Sequence, residues 1–331
     1  MNTQNTQVQQ FVDKLLNLDA QPGQPLAGDE LAWRIWKILT DEQRLARRPD
    51  DKFREAILAK IKKSIEQEQP ITLIDTAGGF KNYAAPNAPH VDWSEVFMLN
   101  KLVKQCVKVA SIYKPGVWLE FSGDSCMLTF FDNYPKEAID TYAREFGQLL
   151  SIFQKHVPAN VKLTKKDVDE FYDIPKFQER IEKLADQMPR AEIEALVKKN
   201  RLKARHNFML KGVKDYSAAS EQELDAALER SVVLDHIYID IDIAERFEYI
   251  EGGLHIPLIQ TAIPGCIALK SVNTSKLAFW LGSGYLRPAS GKLIPYIQHG
   301  QTWSELKNLE YCEVESPFSV IDGLDKIPVQ E

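Results

Sequence analysis

Apolar positions recur at helical spacing through the first seventy residues. Leu31, Trp33, Ile35, Trp36, Ile38 and Leu39 crowd one segment that ends near the basic cluster Arg44–Arg48. Phe53, Ile57, Leu58, Ile61 and Ile65 then follow a helical period, so residues 1–69 are expected to be helices. Pro70 stops the pattern, and Ile71-Thr72-Leu73-Ile74-Asp75 is a short β-like run opening into the glycine-rich turn Thr76–Lys81. After a Pro/Asn-rich stretch at 86–91, Val96, Leu99, Leu102, Val103, Cys106, Val107 and Ala110 line one face of a helix over 92–112. Asp92 and Glu95 have the spacing of a capping box at its start. Pro115-Gly116 signals a turn. Val117–Phe121 and Met127–Phe131 read as strands flanking Ser122-Gly123-Asp124-Ser125, and residues 135–157 as a helix.

Residues 165–235 are charged and mostly helical, whereas Ile267–Val272, Leu277–Leu281 and Leu293–Ile297 read as strands. Strands alternating with helices, then strands in succession, predict an α/β fold: a Rossmann-like central sheet with helices on both faces, a largely helical insertion and C-terminal antiparallel strands. The expected division is an N-terminal helical segment (1–69), an α/β core with the site (70–160), a helical subdomain (161–235) and C-terminal strands completing the core (236–331).

The chain has 331 residues, 44% hydrophobic and 27% charged, with formal net charge −6, which argues against a nucleic-acid partner. The polar start has no signal-peptide pattern, and no apolar run reaches the roughly 18 residues of a membrane span, so a cytoplasmic chain with no membrane partner is expected. Cys106, Cys126, Cys266 and Cys312 include no C-x-x-C pair, which speaks against zinc and disulfides. Asp235–Asp242 alternates so that His236, Asp240 and Asp242 would share one face of a strand. An ordinary amphipathic strand or helix explains that run better than a metal site, and no metal is expected.

Candidate chemistry concentrates at 71–131. Turns at the ends of strands in open α/β sheets carry ligands. Gly78 and Gly79 would let backbone amides approach an anion, Phe80 lies beside them, and Lys81 adds charge. His90, two residues before Asp92, is the histidine best placed for acid–base work, although a plain loop role explains it as well.

The same stretch carries a family resemblance. Pro70-Ile71, Phe80-Lys81-Asn82, Asp92, Glu95, Leu99 and Leu102 lead into Cys106, Ile112-Tyr113-Lys114-Pro115-Gly116 and Ser122-Gly123-Asp124. This order resembles the isonitrile (isocyanide) synthase family of the pyoverdine- and dityrosine-cluster type, over roughly residues 53–150. It continues faintly to Lys270, Asn273-Thr274-Ser275 and Lys276. The resemblance implies an enzyme of secondary metabolism that builds an isonitrile on an amino acid, taking the carbon from ribulose 5-phosphate with no cofactor. On that reading Lys81, Lys270, Lys276 and Arg287 are candidates for the phosphate, with Ser122, Ser125 and Ser275 nearby and Gly282-Ser283-Gly284 as a second backbone cradle. Asp92, Glu95 and Asp124 are carboxylates for proton transfer, and a buried lysine could form a Schiff base. A homodimer and a downstream oxygenase are compatible partners. Where the family has S-D-G-R, this chain has Ser122-Gly123-Asp124-Ser125, with no arginine to clamp a carboxylate or phosphate. A diverged transferase or a non-catalytic binding protein is therefore the alternative.

Overall fold

The structure, a computed structural model, describes residues 3–18, 26–41, 51–75, 79, 81, 88–123, 125–211, 220–258, 266–267, 282–290 and 292–299. Helices α1 (Thr3–Leu16), α2 (Gly28–Leu39) and α3 (Asp51–Glu66) precede strand β1 (Ile71–Asp75). Helix α4 (Trp93–Ala110) leads to β2 (Val117–Phe121), and α5 (Ser125–Asp132) with α6 (Lys136–Lys155) to β3 (Val161–Lys165). Helices α7 (Ile174–Gln187), α8 (Arg190–Lys211) and α9 (Glu221–Gly252) follow, then β4 (Ile256–Leu258), β5 (Gly282–Ala289) and β6 (Lys292–His299).

Among the described residues the central sheet has four strands in the order β3-β2-β1-β4, and their pairings are parallel. A parallel sheet buried on both faces needs strands with little polar alternation. All of β1 is buried, in keeping with its run Ile71-Thr72-Leu73-Ile74-Asp75. The chain steps from β1 to β2 to β3, then returns to the far side of β1 to form β4. The order reverses between β1 and β4, and the carboxyl ends of strands at such a reversal leave a crevice that helices do not cover. Both Asp75 and Phe121 end their strands at that edge. The mixed α/β expectation thus holds, with a small second sheet of β5 and β6 paired antiparallel.

Pleating puts Ile71, Leu73 and Asp75 on one face with Val117, Leu119 and Phe121. Phe121 packs edge-on against Phe146 of α6 at 5.3 Å. The β2 turn needs a glycine: Gly116 has φ +79°, and a Cβ there would lie 1.7 Å from the Asn160 carbonyl oxygen. Among the described residues no helix is long and apolar enough to cross a membrane. Cys106, Cys126 and Cys266 are in no disulfide, and Cys312 lies outside the described residues.

Several local expectations are corrected. Met127–Phe131 lies in helix α5, because Met127 and Phe131, one turn apart, pack into a cluster with Ile237 and Tyr238 of α9. Tertiary packing overrides the β preference of its aromatic residues. Strand β3 was hidden at the head of the charged stretch, because an edge strand buries only alternate residues, here Val161 and Leu163, and tolerates Lys162 in solvent. Asp235–Asp242 belongs to the continuous helix α9, so the strand face of His236, Asp240 and Asp242 does not exist. His236 and Asp240 are one helical turn apart at 3.6 Å, while Asp242 accepts from the Tyr172 hydroxyl. Gly282-Ser283-Gly284 opens strand β5 and is no turn. Ile267 bridges Leu258; the rest of Ile267–Val272, with Leu277–Leu281 and Arg44–Arg48, lies outside the described residues.

Candidate functional site

Helix α4 begins at the carboxyl edge of the sheet, and its first turn is unusually polar for so buried a place. Asp92, Ser94 and Glu95 are all buried. The capping box is complete: Ser94 N donates to Asp92 Oδ1 at 2.8 Å, and Asp92 N donates to Glu95 Oε2 at 2.8 Å. These bonds satisfy orphan amides of the first helical turn.

Into this turn projects Lys81, itself fully buried. Its Nζ donates to Ser94 Oγ at 2.6 Å and to Glu95 Oε1 at 2.9 Å, and lies 2.9 Å from Asp92 Oδ1. An ammonium has three donors, and three residues take them up. The Gly284 amide of β5 donates to the same Asp92 Oδ1 at 3.0 Å. Tyr142 of α6 donates to Glu95 Oε1 at 3.3 Å, and the Tyr134 hydroxyl donates to the Lys81 carbonyl. One network joins the turn after β1, the start of α4, the approach to α6, α6 itself and β5.

The environment drives the two carboxyls apart. Burial pushes Glu95 up to about 7 against the pull of Lys81, with Asp92 adding repulsion. Asp92 feels the same burial, yet Lys81 and the two Ser94 bonds hold it below the usual carboxylate range. Adjacent carboxyls separated in this way are the pattern of an acid–base pair, one ionised and one carrying a proton near neutrality. Burial and the neighbouring carboxyls also raise Tyr142 well above an ordinary phenol.

The turn after β2 closes on the turn after β1. A Cβ on Gly123 would lie 2.8 Å from the Gly79 Cα and 2.9 Å from Asp167 Oδ1, so the two backbones approach this closely only because residue 123 is glycine. Ser122 is buried and its amide donates to the Asp75 carbonyl. Gly79, Lys81, Asp92, Glu95 and Ser122 therefore gather at the carboxyl edge of the sheet. Ser125 starts α5, and Arg287 stands in β5 opposite Ile294; their side chains lie outside the described ones. So do Gly78, Phe80, Asp124, Lys270, Ser275 and Lys276.

At this edge the architecture has a counterpart. The chain is similar in fold to the PvcA protein of Pseudomonas aeruginosa, with a TM-score of 0.59 at 17% identity, covering 85% of this chain and 98% of that one. No family model matches the sequence, and no curated protein matches it. At this identity the likeness establishes the fold.

Sequence reasoning treated Lys81 as a ligand-facing cation, whereas the described conformation turns its ammonium inward. It also missed Tyr142 and Tyr134, whose signal is tertiary, and Glu145, which accepts from the Val91 amide at 2.9 Å and meets His90 Nδ1 at 2.8 Å. That bond raises the His90 imidazole above its ordinary value.

Proposed function

We propose that the chain is an isonitrile synthase-like biosynthetic enzyme that condenses the amine of an amino acid with a ketose phosphate. The observation that carries this reading is the buried Lys81–Asp92–Ser94–Glu95 network at the carboxyl edge of a parallel sheet. The likeness in fold to PvcA is compatible with this reading, and the motif order from Pro70 to Asp124, which resembles the isonitrile synthase family, supports it. Joining an amine to a ketone requires protons to be moved near neutrality, and Glu95 holds its proton there. Asp92, whose carboxyl Lys81 and Ser94 hold below the usual carboxylate range, balances Lys81 and accepts from Ser94 at the helix start. Lys270, Lys276 and Arg287 remain the proposed phosphate cations.

The test is incubation of the full chain with amino acids, tyrosine and tryptophan first, and uniformly carbon-13-labelled ribulose 5-phosphate. Label in an isonitrile carbon is expected. Glu95→Gln preserves shape and removes the proton-carrying group, so turnover should fall by about 10²–10⁴. Labelled isonitrile made equally well by Glu95→Gln would remove Glu95 from the reaction. Absence of any product across the amino acids would overturn the enzyme reading.

A second reading, a binding protein on the same fold, is favoured by one observation: every donor of Lys81 is taken up internally. Stoichiometric binding of an amino acid or sugar phosphate without turnover would select it.

A further inference from the structure

The opposite face of the sheet carries a second polar cluster. Pleating places Glu120 of β2 on the face away from Leu119 and Phe121, and its side chain is buried. The Tyr249 hydroxyl of α9 donates to both Glu120 oxygens, at 2.9 and 3.1 Å. His255, just before β4, is 2% exposed; among the described residues neither ring nitrogen makes a hydrogen bond of ordinary geometry, although the nearby Ile250 and Tyr249 backbone favours its protonated form against the effect of burial. Its Nε2 lies 3.9 Å from Glu120 Oε1. That is too long for a direct hydrogen bond and short enough for one oxygen to reach both groups.

The imidazole is held in place by design of the chain around it. A Cβ on Gly253 would lie 2.2 Å from the His255 Cε1, so a side chain there would push the ring from its place. The Tyr249 ring covers it at 4.6 Å between centroids. Lys166, one residue past β3, places its Nζ 4.1 Å over the Phe171 ring and 4.4 Å over the Tyr249 ring. Among the described residues its ammonium makes no hydrogen bond, the reverse of Lys81. Lys166, Phe171 and Tyr249 are half-buried, whereas Glu120 and His255 beneath them are buried. The cluster thus has a floor of acid–base groups and a cationic, aromatic mouth.

We propose that Glu120, His255 and Lys166 form a binding site for a small hydroxylated anion. A ligand hydroxyl bridges His255 Nε2 and Glu120, and the anionic group takes the donors of Lys166. Rings at the mouth offer flat apolar surface to the carbon skeleton. Burial suits the floor to this task. It lowers His255 to about 4, so the imidazole meets the hydroxyl uncharged. It also raises Glu120 above the ordinary carboxylate value, against the Tyr249 bond and the charge of Lys166.

The proposal rests on the reading above only in taking ribulose 5-phosphate as one probe. Calorimetric titration of the full chain compares ribulose 5-phosphate and ribose 5-phosphate with inorganic phosphate and with ribitol. The two sugar phosphates are expected to bind at least about tenfold more tightly than inorganic phosphate, and ribitol weakest, since a charge-assisted bond is worth about one to two decades of affinity. Lys166→Met should weaken sugar-phosphate binding by about ten- to a hundredfold. Glu120→Gln and Gly253→Ala, which disturb the floor alone, should erase the preference over inorganic phosphate. Equal affinity for all four probes, no binding of any, or Lys166→Met binding as tightly as the wild-type chain would overturn the site. Sugar-phosphate binding without isonitrile formation would refute the reaction and leave the site standing.

Discussion

At the scale of the residue, Lys81 is the most constrained group described. Its charge is taken out of water and repaid by Asp92, Ser94 and Glu95. Removing one partner from such a group leaves the others buried and uncompensated, which costs about 3–5 kcal/mol, whereas replacing several by apolar or neutral groups costs much less. Lys81→Ala is therefore expected to lower unfolding free energy by that amount in urea denaturation. Lys81→Met combined with Glu95→Gln should recover part of the loss, and strictly additive losses would show that the network is not coupled. Lys81 was legible from the sequence as a charged residue after a glycine turn. Its inward orientation was not, because the acceptors come from a helix start more than ten residues away.

At the scale of the element, the start of α4 was readable as a capping box, and it forms as expected. What docks on it was not readable. Strand β5 comes against the first turn of α4 so closely that a Cβ on Gly284 would lie 2.0 Å from Ser94 N and 2.4 Å from the Trp93 carbonyl carbon. Those contacts are backbone and cannot swing aside. Gly284→Ala should push the β5–β6 hairpin off α4, break the Gly284–Asp92 hydrogen bond and cost about 1–3 kcal/mol, the usual range for overpacking. The checks are urea midpoint and amide exchange at Asp92–Glu95. An unchanged midpoint with unchanged protection would show that the hairpin does not rest on α4. Helix α5 and strand β3 show the limit of local pattern. The aromatic run of α5 favours a strand, and β3 is too short and too rich in lysine to stand out beside a charged stretch, so neighbours in space decided both.

At the scale of the whole molecule, two buried groups on opposite faces of the sheet oppose each other in their response to pH. Glu95 moves from 4.5 to about 7 on folding. Its contribution to stability is complete below 4.5 and is lost as pH rises through 7. His255 moves from 6.5 to about 4, chiefly by burial. Its contribution is complete above 6.5 and is lost as pH falls through 4. Each changes stability by up to about 1.4 kcal/mol per pH unit, with opposite sign, so the two offset between pH 4.5 and 6.5. In urea denaturation across that window, Glu95→Gln should gain stability relative to wild type as pH rises. His255→Asn should lose stability relative to wild type as pH rises. Two variants that run parallel to wild type at every pH would show that neither group titrates as described.

Local sequence determined the N-terminal helices, β1, the capped start of α4, the Pro115-Gly116 turn, β2 and α6, because each rests on periodicity, a cap or a breaker within a few residues. It also determined that Lys81, Asp92 and Glu95 belong to one neighbourhood of the chain. Only the tertiary structure decided the strand order, which brings β4 beside β1 from far along the chain. The same packing made Met127–Phe131 helical, turned Lys81 inward, and brought His255, Tyr249 and Lys166 over Glu120. The physical reason is common to all of these. Burial and partnership of a charged or β-prone side chain depend on groups supplied by distant segments, and no local pattern records which segments those will be.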